Sequence, residues 1–324
     1  MTTALFLAFF IALFGSWLLI HFAPQLHLID RPNERSSHQR PTPRGGGIAL
    51  VAAVLGGCVA LPGPLPLAIQ PALIAALPIA VAGLIDDRYG LSARVRFGVH
   101  LLAATACVLA FRGPIEYPLP HAVLLPLAVL AIAWGTNLFN FMDGIDGIAG
   151  AEGLFIAAVA GGLLAASAPP VAAALWVIAL ACAGFLPWNW APARIFMGDV
   201  GSGFFGFLLA GIGALTVMQG LLELPVWLIL WGTFLADTGV TLARRVLRAE
   251  QWWSAHRSHA YQRLSRRFGS HARSTLLYAG VNLFVLAPAA LLAHAHPDVG
   301  GWICVAVLAP LVLGAWLAGA GLPD

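Results

Sequence analysis

Carboxylates and amides cluster at the end of one apolar segment, in the stretch Asn-Leu-Phe-Asn-Phe-Met-Asp-Gly-Ile-Asp-Gly-Ile-Ala-Gly at 137–150. Wound as a helix, this stretch would place Asn140, Asp143 and Asp146 near one face, because they are three residues apart. Ionisable groups at a membrane boundary are costly without a partner, which makes such a cluster a candidate functional site. Oxygen ligands of this kind suit a hard cation, so the stretch predicts a site for Mg²⁺.

A polar stretch at 30–47 ends in Pro-Thr-Pro-Arg-Gly-Gly-Gly just before an apolar run. Its arginines, among them Arg44, could hold a phosphate together with His38 and the backbone N–H groups of the glycines. The same stretch could instead only fix the orientation of the chain in a membrane, as basic loops do. The sequence alone leaves both interpretations open.

Two adjacent carboxylates, Asp86 and Asp87, end the third apolar run and precede Arg88. Because neighbouring side chains on a helix point in different directions, one carboxylate could face a metal or a nucleophile while an arginine holds the other. Alternatively, the pair only ends a helix with a surface ion pair.

Two later motifs carry further candidates. In a Gly-Asp-Val-Gly-Ser motif that leads into an apolar run, Asp199 and exposed backbone N–H groups could hold a metal–diphosphate, unless Asp199 only caps the helix. A His-Arg-Ser-His motif places His256 and His259 on one face if it is helical. Since no cysteine or third histidine lies nearby to complete a zinc site, phosphate binding by His256, Arg257 and His259 is favoured.

These motifs must be positioned by membrane helices. The chain has 324 residues, of which 60% are hydrophobic and 10% charged, and its mean hydropathy is +0.86. Such a composition predicts an all-α polytopic membrane protein and excludes a soluble domain. About eleven membrane helices are expected, at 3–23, 46–62, 66–84, 97–111, 120–138, 148–166, 170–187, 203–219, 224–243, 274–293 and 300–320. The longest polar stretch is too short for a separate domain, so residues 1–324 are expected to form one.

The arginines indicate the orientation. Every one of the 17 Lys-plus-Arg positions is an arginine, and among the loops between expected helices only Arg112 lies in the set that carries no polar motif. By the positive-inside rule the motif-bearing loops are cytoplasmic, the N-terminus is outside and the C-terminus is inside. The active site is therefore expected on the cytoplasmic face.

Together and in this order, the motifs resemble those of the polyprenyl-phosphate N-acetylhexosamine-1-phosphate transferases, glycosyltransferase family 4. The resemblance covers about residues 28–263 and includes Asn-x-x-Asn-x-x-Asp-Gly-x-Asp-Gly and Phe-Met-Gly-Asp-x-Gly-Ser. It departs from many members at Arg94, where they have lysine. The histidine loop, His-Arg-Ser-His-Ala-Tyr-Gln, is most similar to the branch that initiates O-antigen synthesis.

The resemblance implies that undecaprenyl phosphate attacks the β-phosphorus of a UDP-N-acetylhexosamine in the bacterial inner membrane, giving undecaprenyl-diphospho-sugar and UMP. It implies Mg²⁺, or Mn²⁺ as a substitute, held by Asn140 and Asp199. The catalytic residues implied are Asp86, Asp87 and Asp199. Asp86 and Asp87 would orient or deprotonate the lipid phosphate. The substrate-binding residues implied are Arg44, Arg94, Arg96, Asp143, Asp146, His256, Arg257 and His259.

Several alternatives remain beside this interpretation. Direct attack by the lipid phosphate is expected rather than a double displacement through an aspartyl phosphate. A transporter for a lipid-linked or anionic solute is the non-enzyme alternative. The CDP-alcohol phosphotransferases share Asp-x-x-Asp-Gly but are excluded, because the Ala-Arg pair and later aspartates of their pattern are missing after Gly147. No nucleic acid is expected as a partner, and a homodimer stays open.

Two acidic residues inside apolar runs are not explained by the motifs. Asp237 is expected to have a structural partner, either Arg244 or a group on a neighbouring helix. Glu152 follows the central motif and is expected to be structural as well.

Overall fold

The computed structural model describes residues 1–26, 28–30, 41–250 and 256–323, and this part of the chain is almost entirely helical. The helices are α1 (Thr2–Phe22), α2 (Gly46–Val59), α3 (Gln70–Tyr89), α4 (Ala93–Ala110), α5 (His121–Met142), α6 (Ile148–Leu164), α7 (Pro169–Asn189), α8 (Gly198–Met218), α9 (Leu224–Leu230), α10 (Gly232–Leu247), α11 (Ala260–Phe268), α12 (His271–Val281), α13 (Ala287–Ala295) and α14 (Pro297–Ala318). A π-helical stretch, Asn282–Leu286, joins α12 to α13. Two short antiparallel strands, β1 (Ile29–Asp30) and β2 (Thr42–Pro43), pair Ile29 with Pro43 and Asp30 with Thr42.

The prediction of an all-α polytopic membrane protein is confirmed. In the described residues, 8 helices are long and apolar enough to cross a membrane, counting the continuous segment His271–Ala295 as one. Helices α9 and α10 together are also long and apolar enough to cross a membrane, but they are bent by 77° between Leu230 and Gly232, as in a broken span or a re-entrant loop. The remaining expected segments are α2 and α6, which are helical but shorter than a full span.

Several helix ends differ from the expected ones near the polar motifs. Asp86 and Asp87 lie in the last turn of α3, and Arg94 and Arg96 lie in the first turns of α4, so the expected loop 85–96 is mostly helical. The Ser92 hydroxyl caps α4 by accepting from the Val95 backbone N–H at 3.4 Å. A prediction from hydropathy ends each helix at the first charged residue. In the structure the charged side chains pair with one another, and the backbone stays helical beyond that point.

The central motif is not one continuous helix, which agrees with the break expected between the segments 120–138 and 148–166, and the single face that a continuous helix would give does not form. Helix α5 ends at Met142, where Asp143 takes the cap position with φ −85° and ψ 53°. Helix α6 begins only after Gly147, whose φ of +78° is the left-handed region that glycine tolerates. Asn140 is therefore on a helix, while Asp143 and Asp146 lie in the turn that follows.

Helix α8 lies at the centre of the bundle, where most of its residues are buried. It packs against α2, α3 and α5. A Cβ added at Gly83 of α3 would lie 2.4 Å from the Asp199 carbonyl oxygen, so the two backbones touch and no larger residue fits there. This contact fixes the end of α3 against the start of α8, and with it the carboxylates carried by each.

Candidate active site

The polar motifs meet at one end of the bundle, around a cavity of about 250 Å³. The ends of α3 and α5, the starts of α8 and α12, and helix α11 all contribute to its wall. The polar side chains that line it are Asp30, Arg44, Asp87, Asn140, Asp143, Asp146, Asn189, Asp199, Ser202, Gln262 and His271. The expectation that distant motifs form one site agrees with this geometry.

Asp87 fixes the start of α8. Its side chain is only 4% exposed, and its two oxygens accept from the backbone N–H groups of Asp199 at 3.1 Å and Val200 at 3.3 Å. Gly198 makes the approach possible, because it has φ +71° and an added Cβ would lie 2.6 Å from Asp87 Oδ2. A carboxylate at a helix N-terminus is stabilised by the unpaired N–H groups and the helix dipole. Asp87 therefore places Asp199.

Asp86 points away from Asp87, toward α4. It forms a salt bridge with Arg96 and accepts from the Leu91 backbone N–H. The Arg96 guanidinium also lies 3.3 Å from Asp199 Oδ2, so it bridges both carboxylates. Arg94, two residues earlier on α4, is exposed and does not line the cavity.

Asn140 and Asp199, the predicted metal ligands, are in direct contact. Asn140 Nδ2 donates to Asp199 Oδ1 and to the Ser202 hydroxyl, each at 2.9 Å. Ser202 in turn donates to the Gly198 carbonyl at 3.0 Å, so the first turn of α8 holds the amide in place. The pair is thus oriented by contacts within the protein.

Asp143 lies beside three other carboxylates. Burial, together with the charges of Asp199, Asp87 and Asp146, raises the pKa of Asp143 well above its ordinary value. Four aspartates thus lie close together in the cavity, and such a cluster is an environment that a cation would stabilise.

Asp146 is held in place from three sides. Its Oδ1 lies 3.1 Å from His271 Nδ1, and its Oδ2 accepts from the Ala193 backbone N–H at 3.1 Å. The Thr275 hydroxyl of α12 donates to the Asp146 carbonyl at 2.8 Å. Asn189 fixes the next residue, accepting from the Gly147 N–H at 3.1 Å. These contacts tie the α5–α6 turn to α7 and α12.

None of the three residues predicted from the histidine motif, His256, Arg257 and His259, lines this cavity. His259 is 2% exposed and occupies the N-cap position of α11. Its Nδ1 lies 3.2 Å from Asp237 Oδ1. His256 stacks on His259, and burial with the neighbouring His259 and Arg245 lowers the pKa of His256 to about 3. Neither histidine lines the cavity, whereas Arg257 lines a second, adjoining cavity.

Arg44 lines the cavity, but the N–H groups of Gly46 and Gly47 are already hydrogen-bonded within the protein and are not offered to a ligand. Gly46 and Gly47 donate to the carbonyls of Phe196 and Met197 at 3.0 and 2.8 Å. The Arg44 guanidinium lies 3.9 Å from Asp87 Oδ1, and its Nε is buried with no partner among the described residues. A buried donor without a partner suits an anionic ligand. His38 lies outside the described residues.

The cavity's donor set fits Mg²⁺. The described residues hold no group of three or more His, Cys, Asp or Glu side chains arranged to bind one ion. Mg²⁺ does not require one, because it keeps several waters and is bound through one or two carboxylates plus substrate phosphates. Asp199 with Asn140, beside the charge around Asp143, provides that minimal oxygen set.

Five polar residues of the cavity were not predicted. Asp30, Ser202 and Gln262 lie within the quoted stretches and Asn189 lies seven residues before Phe196, so their polar side chains were the available signal. His271 had none, because it lies 125 residues from the Asp146 that it contacts.

Comparison with known proteins assigns the chain to a family. Residues 69–218 match the family model described as glycosyl transferase family 4. A probable undecaprenyl-phosphate N-acetylglucosaminyl 1-phosphate transferase of Bacillus subtilis is 30% identical over 79% of this chain and 74% of its own length. A decaprenyl-phosphate N-acetylglucosaminephosphotransferase of Mycobacterium leprae is 32% identical, covering 82% of this chain and 77% of the relative. The chain belongs to glycosyl transferase family 4.

The family assignment confirms the resemblance of the motifs and supports a membrane-embedded transferase over a transporter. An undecaprenyl-phosphate α-N-acetylglucosaminyl 1-phosphate transferase of Thermotoga maritima is also similar, at 26% identity over 80% of each chain. The matched segment 69–218 contains the ends of α3 and α5 and the start of α8. The carboxylates and amide around Asp199 thus belong to the segment that carries the family match.

Proposed function

We propose that this protein transfers N-acetylhexosamine-1-phosphate from a UDP-sugar to undecaprenyl phosphate, with N-acetylglucosamine as the first sugar to test. The observation that carries the proposal is the convergence of Arg44, Asn140, Asp143 and Asp199 on one cavity at an end of the bundle. The named activities of the relatives supply the substrate class. The product would initiate a cell-envelope polysaccharide, with O-antigen as the predicted pathway.

The transfer forms one bond and breaks another. A phosphate oxygen of the lipid attacks the β-phosphorus of the donor, the bond between that phosphorus and the bridging oxygen breaks, and UMP leaves with the electron pair. Asn140 and Asp199 would hold Mg²⁺, which would supply positive charge to neutralise the diphosphate. Arg44 and Arg96 would offset the charge of the two anions that must approach each other.

The donor would occupy two adjoining cavities. The second has a volume of about 530 Å³ and shares Asp146, Gln262 and His271 with the first. Pockets for small-molecule ligands typically measure about 300–1,000 Å³, so the first cavity alone is too small for a sugar nucleotide. The diphosphate would lie in the first cavity and the remainder in the second, where Arg257 and Arg266 contribute positive charge.

The direct test uses purified protein in detergent with Mg²⁺, undecaprenyl phosphate and a panel of UDP-N-acetylhexosamines. UMP release that requires the lipid is the expected result, and the sugar giving the highest kcat/KM identifies the donor. If no sugar in the panel gives UMP, the proposed reaction is wrong.

The same assay without lipid distinguishes the two chemical routes. Direct attack predicts no UMP until lipid is added. A burst of UMP stoichiometric with enzyme, or a trapped phospho-sugar enzyme, would instead establish an aspartyl intermediate.

Orientation is a separate prediction. With the arginine-rich end in the cytoplasm, a reporter fused to the C-terminus should be active only as a cytoplasmic reporter. An outside C-terminus would place the cavity on the wrong side for a UDP-sugar.

A further inference from the structure

Asp237 is a buried carboxylate of α10 that lines neither cavity of the proposed site. It nevertheless accepts hydrogen bonds from the first backbone N–H groups of another helix, α11. Asp237 is 1% exposed. Its Oδ1 accepts from the Ala260 backbone N–H at 2.8 Å, and its Oδ2 accepts from the Tyr261 N–H at 2.9 Å. Since the first N–H groups of a helix have no partner within it, Asp237 fixes where α11 begins.

Further groups hold Asp237 itself. The Tyr278 hydroxyl of α12 donates to Oδ2 at 2.7 Å, and Thr241 donates to Oδ1 at 3.2 Å. His259 Nδ1 lies 3.2 Å from Oδ1. The alternative pairing with Arg244 is wrong, because that guanidinium donates to the Ala320 carbonyl at 2.8 Å. Asp237 therefore joins α10, α11 and α12.

A second polar layer lies one helical turn away on both α10 and α12. Thr233, four residues before Asp237, donates to Asn282 Oδ1 at 3.0 Å. Asn282, four residues after Tyr278, donates to Glu152 of α6, which is 1% exposed. Asn282 is also the first residue of the π-helical stretch. The two layers fix the rotation of α12 against α10, so the Tyr278 hydroxyl reaches Asp237.

Helix α11 carries this constraint to the proposed site. The Tyr261 hydroxyl donates to the Phe141 carbonyl in the last turn of α5 at 3.1 Å. Burial, with the nearby Asp237 and Asp143, raises the pKa of Tyr261 well above its usual range, so the hydroxyl stays a donor. A Cβ added at Gly144 would lie 2.1 Å from that oxygen, so the tyrosine packs directly on the Asp143–Gly144 turn. The next residue, Gln262, lines both cavities.

We propose that Asp237 is a positioning residue for the donor: it fixes the start of α11, and through Tyr261 and Gln262 it sets the wall of the cavity beside Asp143. Tyr278 is the group that holds Asp237 in place from α12. The kinetic part of this inference rests on the proposed function, whereas its structural part does not.

The test compares two substitutions on α12 that each remove one buried hydroxyl. Tyr278→Phe deletes the donor to Asp237. Ser274→Ala, one turn earlier, deletes a fully buried hydroxyl that has no partner among the described residues. Steady-state kinetics with donor and lipid varied separately, and hydrogen exchange of a peptide covering Ala260 and Tyr261, are measured on both full-length variants and on Asp237→Asn.

Removing one partner of a buried hydrogen bond corresponds to roughly a tenfold effect, so Tyr278→Phe should raise the donor KM by about tenfold and speed exchange at the start of α11. The KM for the lipid and the Ser274→Ala enzyme should match wild type. Loss of folded protein alone would lower the apparent kcat without changing either KM. Asp237→Asn should change the same quantities further, and if it does not fold, Tyr278→Phe decides.

Two failures are distinguishable. A wild-type protein that releases no UMP from any UDP-sugar refutes the proposed function, and the exchange measurement then still tests whether Tyr278 and Asp237 protect the start of α11. An active wild type, with Tyr278→Phe unchanged in donor KM and exchange, refutes the positioning role.

Discussion

Asp87 and Asp237 have the same local structure at two places in the bundle. Each is a buried aspartate on one helix that accepts the first backbone N–H groups of another: Asp87 holds α8, and Asp237 holds α11. They differ in their surroundings. Asp87 lines the cavity and lies 3.9 Å from Arg44, whereas Asp237 is enclosed by Tyr278 and His259 away from the cavity.

The difference separates two ways in which a carboxylate serves a site. At Asp87 the charge that fixes a helix is also part of the electrostatics of the cavity. At Asp237 the carboxylate is hydrogen-bonded only to groups of the protein, so it affects the site only by fixing the position of α11. Substitutions at Asp87 and its neighbours should therefore affect chemistry, and those at Asp237 mainly donor binding.

The largest effect is expected at Asp199, the residue that Asp87 positions. Asp199→Asn removes the charge of a proposed metal ligand while keeping its size and the contact with Asn140, so kcat should fall by about 10³-fold or more. UMP release measures the loss, and thermal unfolding in detergent should be unchanged. Near-normal turnover would remove Asp199 from the metal site.

Asp87→Asn should cost both activity and stability. The amide can still accept one backbone N–H but turns its NH₂ group toward the other, so kcat should fall roughly 10²-fold and the free energy of unfolding by about 1–3 kcal/mol. The matched control is Asp298→Asn, an exposed aspartate in the first turn of α14. If both variants behave like wild type, Asp87 does not hold α8.

Arg44 should contribute less, through binding of the anionic ligand. Arg44→Gln is expected to raise a substrate KM roughly tenfold, as loss of a charge-assisted hydrogen bond does. Arg94→Gln changes an exposed arginine that does not line the cavity, and its effect should be under about twofold. An equal effect at Arg94 would support the substrate contact that the family resemblance implies for it.

The smallest effect is expected at His256, which lies near the start of α11, the helix that Asp237 holds. Its pKa is lowered to about 3, so the folded protein favours neutral imidazole. This stabilisation is complete above about pH 6.5, the ordinary value, and is lost as the pH falls toward 3. His256→Gln should flatten the decline in thermal stability between about pH 6.5 and 4 while leaving turnover at pH 7.5 unchanged. A large fall in turnover would give His256 a direct role in substrate binding.

Much of the site was predictable as a set of residues but not as an arrangement. Asn140, Asp143, Asp199 and Arg44 line the cavity as their motifs suggested. His259 does not line the cavity, because its ring contacts Asp237. The sequence of a histidine motif does not show whether its side chains face a ligand or a buried carboxylate. The three-residue spacing at 137–150 would also fit a helix, and only the structure shows that Asp143 and Asp146 lie in a turn that ends at Gly147.

The sequence by itself determined the membrane-spanning helices, the arginine-rich end and the chemical character of the motifs, because hydrophobic run length and charge are local properties. Only the tertiary structure decided which carboxylates hold helices and which face the cavity. Asp87 and Asp199 are 112 residues apart, and Asp146 and His271 are 125 apart. Their roles depend on which backbone N–H groups are left unpaired at helix starts and which carboxylate the packing brings to them.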